Sequence, residues 1–205
     1  MDISNYSRKQ LQTVEYDSLD YEDTVKDVAP GLSAQAGNGL HKTGFVWNRL
    51  FGENHPYDDI EWDRRTAKIT KGDGTIVFEQ NNVEVPSFWT QTATDIVASK
   101  YFRGRMNSSD REYSAKQMID RVADNIARWG IKDGYFATSE DAENFSLDLK
   151  WILVNQYAAF NSPVWFNVGV QERPQCSACF ILAVEDNMQS ILDWYRDEGW
   201  IFKYG

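Results

Sequence analysis

The fold class follows from residues 60–80, IEWDRRTAKITKGDGTIVFEQ. Their apolar residues recur at a different spacing from those of the residues that follow. The two halves of this stretch alternate between apolar and polar residues, which predicts two β-strands, and Asp73–Gly74 predicts a tight hairpin turn between them. The next stretch, SFWTQTATDIVASKYF at 87–102, spaces its apolar residues with a helical period. Ser87 is a suitable N-cap for this helix and Gly104 a suitable stop. The pattern therefore predicts a mixed α/β fold.

Two more helices are predicted from the apolar spacing that follows. The second begins near Ser114 and ends at Gly130. Its apolar residues lie on one face: Met118, Ile119, Val122, Ile126 and Trp129. The third begins at Thr138 or Ser139, either of which can cap it, and continues to about Phe160. These helices are expected to pack into one helical unit.

The spacing of apolar residues and the local composition divide the chain into four regions. We expect a weakly ordered N-terminal arm at 1–54, a β-hairpin region at 55–86, a helical domain at 87–160, and the start of an α/β domain at 161–205. The arm contains the small-residue stretch Gly31–Gly44, which has the glycines of a phosphate-binding loop. A phosphate loop is disfavoured, because no Lys-Ser or Lys-Thr follows at the required spacing and no strand precedes it.

The spacing of the apolar residues changes again in the last region, 161–205. NSPVWFNVG at 161–169 and QCSACFILAVED at 175–186 contain short apolar runs that are typical of buried strands. MQSILDWYRDEGWIFKYG at 188–205 returns to a helical period. Two strands and one helix do not close a sheet, so this region is expected to be the opening of a larger α/β domain.

Composition and charge exclude several classes of protein. The chain has 205 residues, of which 42% are hydrophobic and 25% are charged, as in ordinary globular domains. Its net charge of −10 makes it a poor binder of nucleic acid backbones. No apolar run is long enough to cross a bilayer. The N-terminal residues lack the apolar core of a secretory signal, and the two cysteines are close together, so we expect a cytoplasmic protein.

The Cys176-x-x-Cys179 pair is the most reactive feature, and four interpretations compete for it. A zinc site would need two more ligands, and only the distant His41 and His55 are available, so no metal site is predicted. A thioredoxin-type site would place the pair at a helix N-terminus, whereas here the pair runs into an apparent strand. The third interpretation is a single redox cysteine on a barrel strand. The fourth, two inert buried thiols, leads on composition alone.

Two polar positions in the last region have both a binding and a structural explanation. Ser162 lies in an Asn-Ser-Pro turn, where its hydroxyl and nearby backbone N–H groups could hold phosphate oxygens. The simpler explanation is a capping turn. Asp186 precedes the last helix, where it or Asn187 could be the N-cap.

Several ordered segments together resemble the N-terminal part of class II ribonucleotide reductases, the adenosylcobalamin-dependent enzymes. They cover about three quarters of the chain: HPYDDIEWDRR (55–65), GTIVFEQNNVEVPSFWTQTATDIVASKYFRG (74–104), FNSPVWFNVG (160–169), SACFILAVEDNMQSILDWY (177–195) and IFKYG (201–205). The resemblance implies a helical N-terminal region followed by the first strands of a ten-stranded α/β barrel, here truncated. Residues 1–54 carry no motif of the family.

The resemblance also implies a reaction, in which hydrogen replaces the 2′-hydroxyl of a ribonucleotide for DNA synthesis. In the family, adenosylcobalamin generates a thiyl radical on a cysteine, that radical abstracts the 3′ hydrogen, and two further cysteines supply the reducing equivalents. The implied partners are a ribonucleotide, a dNTP or ATP effector, the rest of the barrel and a thioredoxin-type reductant. A homodimer is also implied, and neither a membrane nor a nucleic acid is expected.

Carried over by position, Cys179 matches the first of the two reducing cysteines. Ser162 matches the Ser/Thr-Pro turn that contacts substrate, and Ala178 with Cys179 matches the next substrate-contacting pair. Asp186 lies where the family places an acid that binds the specificity effector. Cys176 has no counterpart in the pattern.

The radical cysteine and the second reducing cysteine have no match in this chain. The resemblance therefore implies a portion of the enzyme that is inactive alone. Two alternatives remain: a non-catalytic remnant that binds a nucleotide or dimerises, and an independent dithiol oxidoreductase that uses Cys176 and Cys179.

Overall fold

The computed structural model describes residues 44–204, and its first regular element is a β-hairpin. Strand β1 (Trp62–Thr70) pairs antiparallel with β2 (Ile76–Pro86). The turn is closed by two backbone hydrogen bonds, from Gly74 N–H to Lys71 O at 3.0 Å and from Lys71 N–H to Thr75 O at 2.8 Å. The predicted hairpin is therefore confirmed, with its turn at the Asp-Gly pair. The glycine-rich stretch at 31–44, for which a phosphate loop is disfavoured, falls almost wholly outside the described residues.

The hairpin turns one face toward the core, as its alternation predicts. Ala67, Val83 and Val85 are fully buried, whereas Ile76 and Val77 near the turn are about half exposed. The buried face packs against the helices that follow, together with the side chains of Trp89, Phe102 and Val122. Burial of this apolar surface is the main force that holds the hairpin to the helices.

The first predicted helix is present, but it begins later than expected. Helix α1 (Gln91–Ile96) is capped by Thr90, whose hydroxyl accepts from Ala93 N–H at 3.1 Å, and not by Ser87. Ser87 N–H instead donates to Glu61 O at 2.8 Å, which extends the strand pairing into the turn. The helix continues as one π-helical turn, Val97–Tyr101, in which Phe102 N–H reaches back to Val97 O at 3.1 Å. Such turns are rare and often lie at functional sites.

The second and third predicted helices are confirmed, although the second ends two residues after the predicted Gly130 and the third ends earlier than predicted. Helix α2 (Ala115–Lys132) starts with a capping box between Ser114 and Gln117. Helix α3 (Ser139–Val154) is capped by Thr138 and ends six residues before the predicted Phe160. Gln156 has a positive φ of 62°, and its N–H donates to Leu153 O at 3.2 Å. This left-handed residue ends the helix, a conformation that the apolar spacing does not reveal.

The two strands predicted in the last region are absent, which corrects that part of the fold prediction. The first apolar run forms a short helix, α4 (Ser162–Asn167), with Pro163 in its first turn, where a missing N–H costs nothing. Residues 175–186 are irregular, and Ile181 is 98% exposed. A lone strand leaves its backbone groups unpaired, and no described strand lies beside this segment. The ten-stranded barrel therefore stays a prediction.

The final predicted helix is confirmed as α5 (Met188–Tyr204). Its residues include large apolar side chains that face solvent, such as Met188 and Leu192. None of the helices among residues 44–204 is both long enough and apolar enough to span a membrane.

Two glycines with the same backbone conformation give a matched test of the fold. Gly104 (φ +86°) and Gly74 (φ +85°) both occupy the left-handed region, but a Cβ at 104 would lie 2.1 Å from Asp110 O, whereas one at 74 meets nothing within 4 Å. Gly74→Ala should lower the free energy of unfolding by about 1 kcal/mol from backbone strain alone. Gly104→Ala should lower it by about 3 kcal/mol, because a steric clash is added. Urea unfolding measures both, and equal losses would contradict the close approach at Gly104.

Candidate functional site

The two cysteines, which the sequence pairs as a CxxC motif, lie in different environments. Cys176 is half-buried and packs against the hydrophobic core, with its Sγ 3.6 Å from Pro174 O. Burial raises the pKa of the Cys176 thiol. Cys179 is exposed, as is its neighbour Ala178, and both cysteines are free thiols. The more accessible sulfur is therefore that of Cys179, while Cys176 is held in the less reactive thiol form.

Ser162 is the first residue of α4, and a second hydroxyl lies against it. The Ser162 Oγ and the Tyr101 phenol oxygen are 3.0 Å apart, so the two groups form a hydrogen bond. Asn161 is the N-cap of α4, and its side-chain oxygen accepts from Val164 N–H at 3.3 Å. The capping role that the sequence offered for this turn therefore belongs to Asn161, which leaves the Ser162 hydroxyl paired with Tyr101 alone among the described side chains.

A buried ion pair holds Tyr101 and α4 together. The Arg121 guanidinium lies 2.7 Å from Glu112, and both side chains are about one tenth exposed. The same guanidinium donates to Tyr101 O at 3.2 Å, Trp165 O at 3.1 Å and Val168 O at 2.8 Å. Tyr101 also packs its ring against Trp165 and Phe166. One arginine therefore fixes the backbone on both sides of the hydroxyl pair.

Asp186 is exposed, and Asn187 takes the capping position before α5. The Asn187 side-chain oxygen accepts from Ser190 N–H at 2.9 Å, and its carbonyl accepts from Ile191 N–H at 3.1 Å. The part of the chain that the structure describes contains no hydrogen bond or ion pair to the Asp186 carboxylate. Capping therefore does not account for Asp186, and its side chain is available to a ligand.

The candidate residues are not assembled into one pocket by direct contacts. Within residues 44–204, no hydrogen bond joins Ser162 to Ala178, Cys179 or Asp186, and no group of three or more His, Cys, Asp or Glu could hold a metal ion. The irregular backbone at 175–186 explains the first point, since no regular element fixes its position relative to α4.

Two sets of tertiary contacts, one at Ser162 and one away from it, were not predicted from the sequence. The first is the contact of Arg121 with Tyr101. The sequence feature that could have revealed it is the position of Arg121 beside the apolar residues of α2. The second is a polar face of α3, where Asp141 and Asp148 bind the backbone of residues 47–51. Acidic residues on a helix usually indicate a solvent-facing surface, so the sequence offered little signal for this docking.

Comparison with known proteins places the chain beside one family. Residues 63–109 and 104–156 match the family model described as class II vitamin B12-dependent ribonucleotide reductase. The chain is 51% identical over 152 residues to a protein of Streptomyces coelicolor named vitamin B12-dependent ribonucleotide reductase, and 52% identical over 152 residues to that of Streptomyces avermitilis. The protein of the same name from Rhodopirellula baltica is 42% identical over 179 residues.

These matches cover about three quarters of this chain and a small part of each relative. The aligned region is 74% of this chain for the two Streptomyces proteins and 73% for the Rhodopirellula protein. It is 16% or 17% of the length of those relatives, at their N-terminal end.

Proposed function

Because this chain is related to the N-terminal part of the class II, vitamin B12-dependent ribonucleotide reductases, we propose that it forms that part of such an enzyme and contributes one of the two thiols that reduce the substrate. The observation that carries the proposal is the identity of about one half over 152 residues. The activity requires the remainder of the reductase, which the matched region does not include.

In the proposed reaction, two cysteine thiols are the reductant. The 2′-hydroxyl of the ribonucleotide leaves as water, a hydrogen takes its place on C2′, and two cysteine thiols lose their hydrogens and join as a disulfide. Cys179 is one of these thiols, and its partner lies in the remainder of the enzyme. A dithiol protein of the thioredoxin type then reduces the disulfide by thiol exchange.

The contrast between the two cysteines supports this assignment. An electron donor must reach the substrate and later an external reductant, and the exposed Cys179 meets both requirements. Cys176 packs against the core, and burial raises the pKa of its thiol, so it is suited to a structural position.

The substrate and effector contacts are proposed from the positions at which these residues match the family's motifs. The Ser162 hydroxyl and the Ala178–Cys179 backbone bind the ribonucleotide, and Asp186 binds a nucleotide effector, a dNTP or ATP. The exposure of Ala178 and Asp186 supports these roles. The negative charge of Asp186 suits the hydroxyls of a sugar better than a phosphate.

Trp165, which lies on α4 close to Ser162, is buried in the core and offers no exposed face to a corrin ring. We therefore propose that the cofactor, adenosylcobalamin, is held mainly by the remainder of the enzyme.

The exposed apolar surface of the last region supports a further structural proposal. Ile181, Met188 and Leu192 expose more than half of their surface, and Phe180 exposes 41%. Large exposed apolar patches usually mark an interface. We propose that the rest of the barrel covers this surface and pairs with residues 175–186. A cytoplasmic location and a homodimer of the whole enzyme stay proposals.

An independent dithiol oxidoreductase is less well supported. In such enzymes, the first cysteine begins a helix, whose dipole lowers the thiol pKa. Here the next helix starts at Met188, after the irregular segment, and the pKa of Cys176 is raised.

A chimaera tests the proposed function. Residues 44–205, which include the segment that docks on Asp148, would replace the matched N-terminal region of the Streptomyces coelicolor reductase, and we call the product the assembled reductase. With cobalamin and a dithiol reductant, it should convert ribonucleotides to deoxyribonucleotides, whereas the parent enzyme with this region deleted should not. The isolated chain should bind cobalamin weakly in a titration. A chimaera that folds as stably as the parent but forms no deoxyribonucleotide would contradict the proposal.

A further inference from the structure

The hydroxyl pair at the start of α4 suggests a role for Tyr101 that rests on the proposed function of Ser162. We propose that Tyr101 is a positioning residue, which donates its hydroxyl hydrogen to Ser162 and thereby aims the Ser162 hydrogen at the ribonucleotide. The two oxygens are 3.0 Å apart, although the residues are 61 positions apart in the chain.

The direction of the hydrogen bond follows from the chemistry of the two groups. Each hydroxyl has one hydrogen to donate and two lone pairs to accept with. A phenol hydroxyl is a stronger hydrogen-bond donor than an aliphatic hydroxyl, so Tyr101 is the better donor of the two. A serine that accepts from Tyr101 keeps its own hydrogen for another acceptor. Acceptance also polarises the serine O–H bond, which strengthens the bond that it donates.

The backbone around Tyr101 is arranged to hold its ring in one place. Tyr101 is the last residue of the π-helical turn, and its carbonyl accepts from Arg121. Its ring centroid lies 5.5 Å from that of Phe166, which is the fourth residue after Ser162. The guanidinium of Arg103 covers the Phe166 ring at 4.9 Å. Because Arg121 binds the Tyr101 carbonyl and the ring packs against Phe166, the phenol is fixed relative to the serine hydroxyl.

Arg121 links the two partners through one rigid group. It binds the carbonyl of Tyr101 and the carbonyls of Trp165 and Val168 at the end of α4. Its own position is set by the buried Glu112 carboxylate. Arg121 therefore helps to fix the distance between the Tyr101 and Ser162 hydroxyls, and none of these contacts involves the irregular segment that carries Cys179.

A double-mutant cycle in the assembled reductase tests this role. Tyr101→Phe removes only the phenol oxygen, and Ser162→Ala removes its partner. We expect Tyr101→Phe to raise the KM for the ribonucleotide by about 3- to 10-fold, the effect of one neutral hydrogen bond, with kcat changed less. Because Tyr101 acts through Ser162, the double variant should be no worse than Ser162→Ala alone.

Tyr57→Phe is the matched control, because it removes the same atom from a hydrogen bond elsewhere. The Tyr57 hydroxyl donates to Asp120 at 2.9 Å, and Tyr57 has no part in the proposed site. This variant should lower the unfolding midpoint in urea without raising KM. An equal rise in KM from Tyr57→Phe would show that the Tyr101 effect is a general loss of structure, and would overturn the proposal.

The remaining outcomes separate this inference from the proposed function. If Ser162→Ala raises KM but Tyr101→Phe does not, or if the two effects multiply in the double variant, the positioning role is wrong and the Ser162 contact stands. If Ser162→Ala leaves KM unchanged, the substrate contact proposed for Ser162 is wrong, and the role of Tyr101 is overturned with it.

Discussion

Cys179→Ser should abolish multiple turnover in the assembled reductase, whereas Cys176→Ser should leave most of the activity. A hydroxyl at position 179 cannot form a disulfide, so the electrons for the reduction are missing. Loss of a residue that itself reacts typically costs on the order of a thousandfold or more in turnover. Cys179 is exposed, so the change should leave stability nearly unaltered. The measurement is deoxyribonucleotide formed per enzyme with a dithiol reductant in excess.

The two variants carry the same chemical change and serve as controls for each other. Cys176 packs against the core, so Cys176→Ser should lower the unfolding midpoint while changing the turnover little. Alkylation and peptide mass spectrometry after one turnover without reductant should find Cys179 joined to a cysteine outside this chain. Comparable loss of turnover from both variants, or a disulfide between Cys176 and Cys179, would instead support a true CxxC couple.

Asp148→Ala should strongly destabilise the chain, because it removes the centre of a buried hydrogen-bond network. The Asp148 carboxylate is 1% exposed and accepts from the backbone N–H groups of Leu50 and Phe51 at 2.9 and 3.2 Å. It also accepts from the Trp47 indole at 3.0 Å and from Arg49 at 3.1 Å. Removing one partner of a buried ion pair costs about 3–5 kcal/mol. We expect a loss of that size in the free energy of unfolding of the 205-residue chain, measured in urea.

Asp193→Ala is the matched control, because Asp193 pairs with Arg196 at 2.7 Å on the exposed face of α5. An exposed pair three residues apart contributes about 0.5 kcal/mol or less. Asp148→Asn is a milder variant, which keeps the shape and one acceptor oxygen, and its loss should lie between the two. Equal losses from Asp148→Ala and Asp193→Ala would show that the docking of residues 47–51 contributes little to stability.

The same docking packs residues 47–51 on the helical domain, a contact that the sequence did not predict. The apolar residues of 1–54 show no regular spacing. The described part of that region, residues 44–54, forms no helix and no strand longer than one residue. Nevertheless, Phe51 stacks on Trp151 with ring centroids 4.4 Å apart, and Trp47 N–H donates to Asp141 at 2.7 Å. These contacts join residues about a hundred positions apart, and no local pattern encodes such a pairing.

Local patterns were sufficient where the interactions themselves are local. The hairpin follows from alternation and from the Asp-Gly turn, and the Ser114 and Thr138 caps follow from hydrogen bonds within one helical turn. The family follows from residue identity over long ordered segments. The reducing role of Cys179 stays a prediction that its exposure supports.

Tertiary contacts decided what the local patterns left open. The apolar run at 180–184 has the composition of a strand, but a strand exists only where another backbone pairs with it, and none of the described residues does so. Similarly, the pairing of Tyr101 with Ser162 depends on Arg121 and Glu112, which bring together segments distant in the chain. Sequence alone determined the hairpin, the locally capped helices and the family resemblance, because these depend on residues that are close together in the chain. The three-dimensional structure decided the partners of each side chain, because burial and ion pairing depend on residues that meet only after folding.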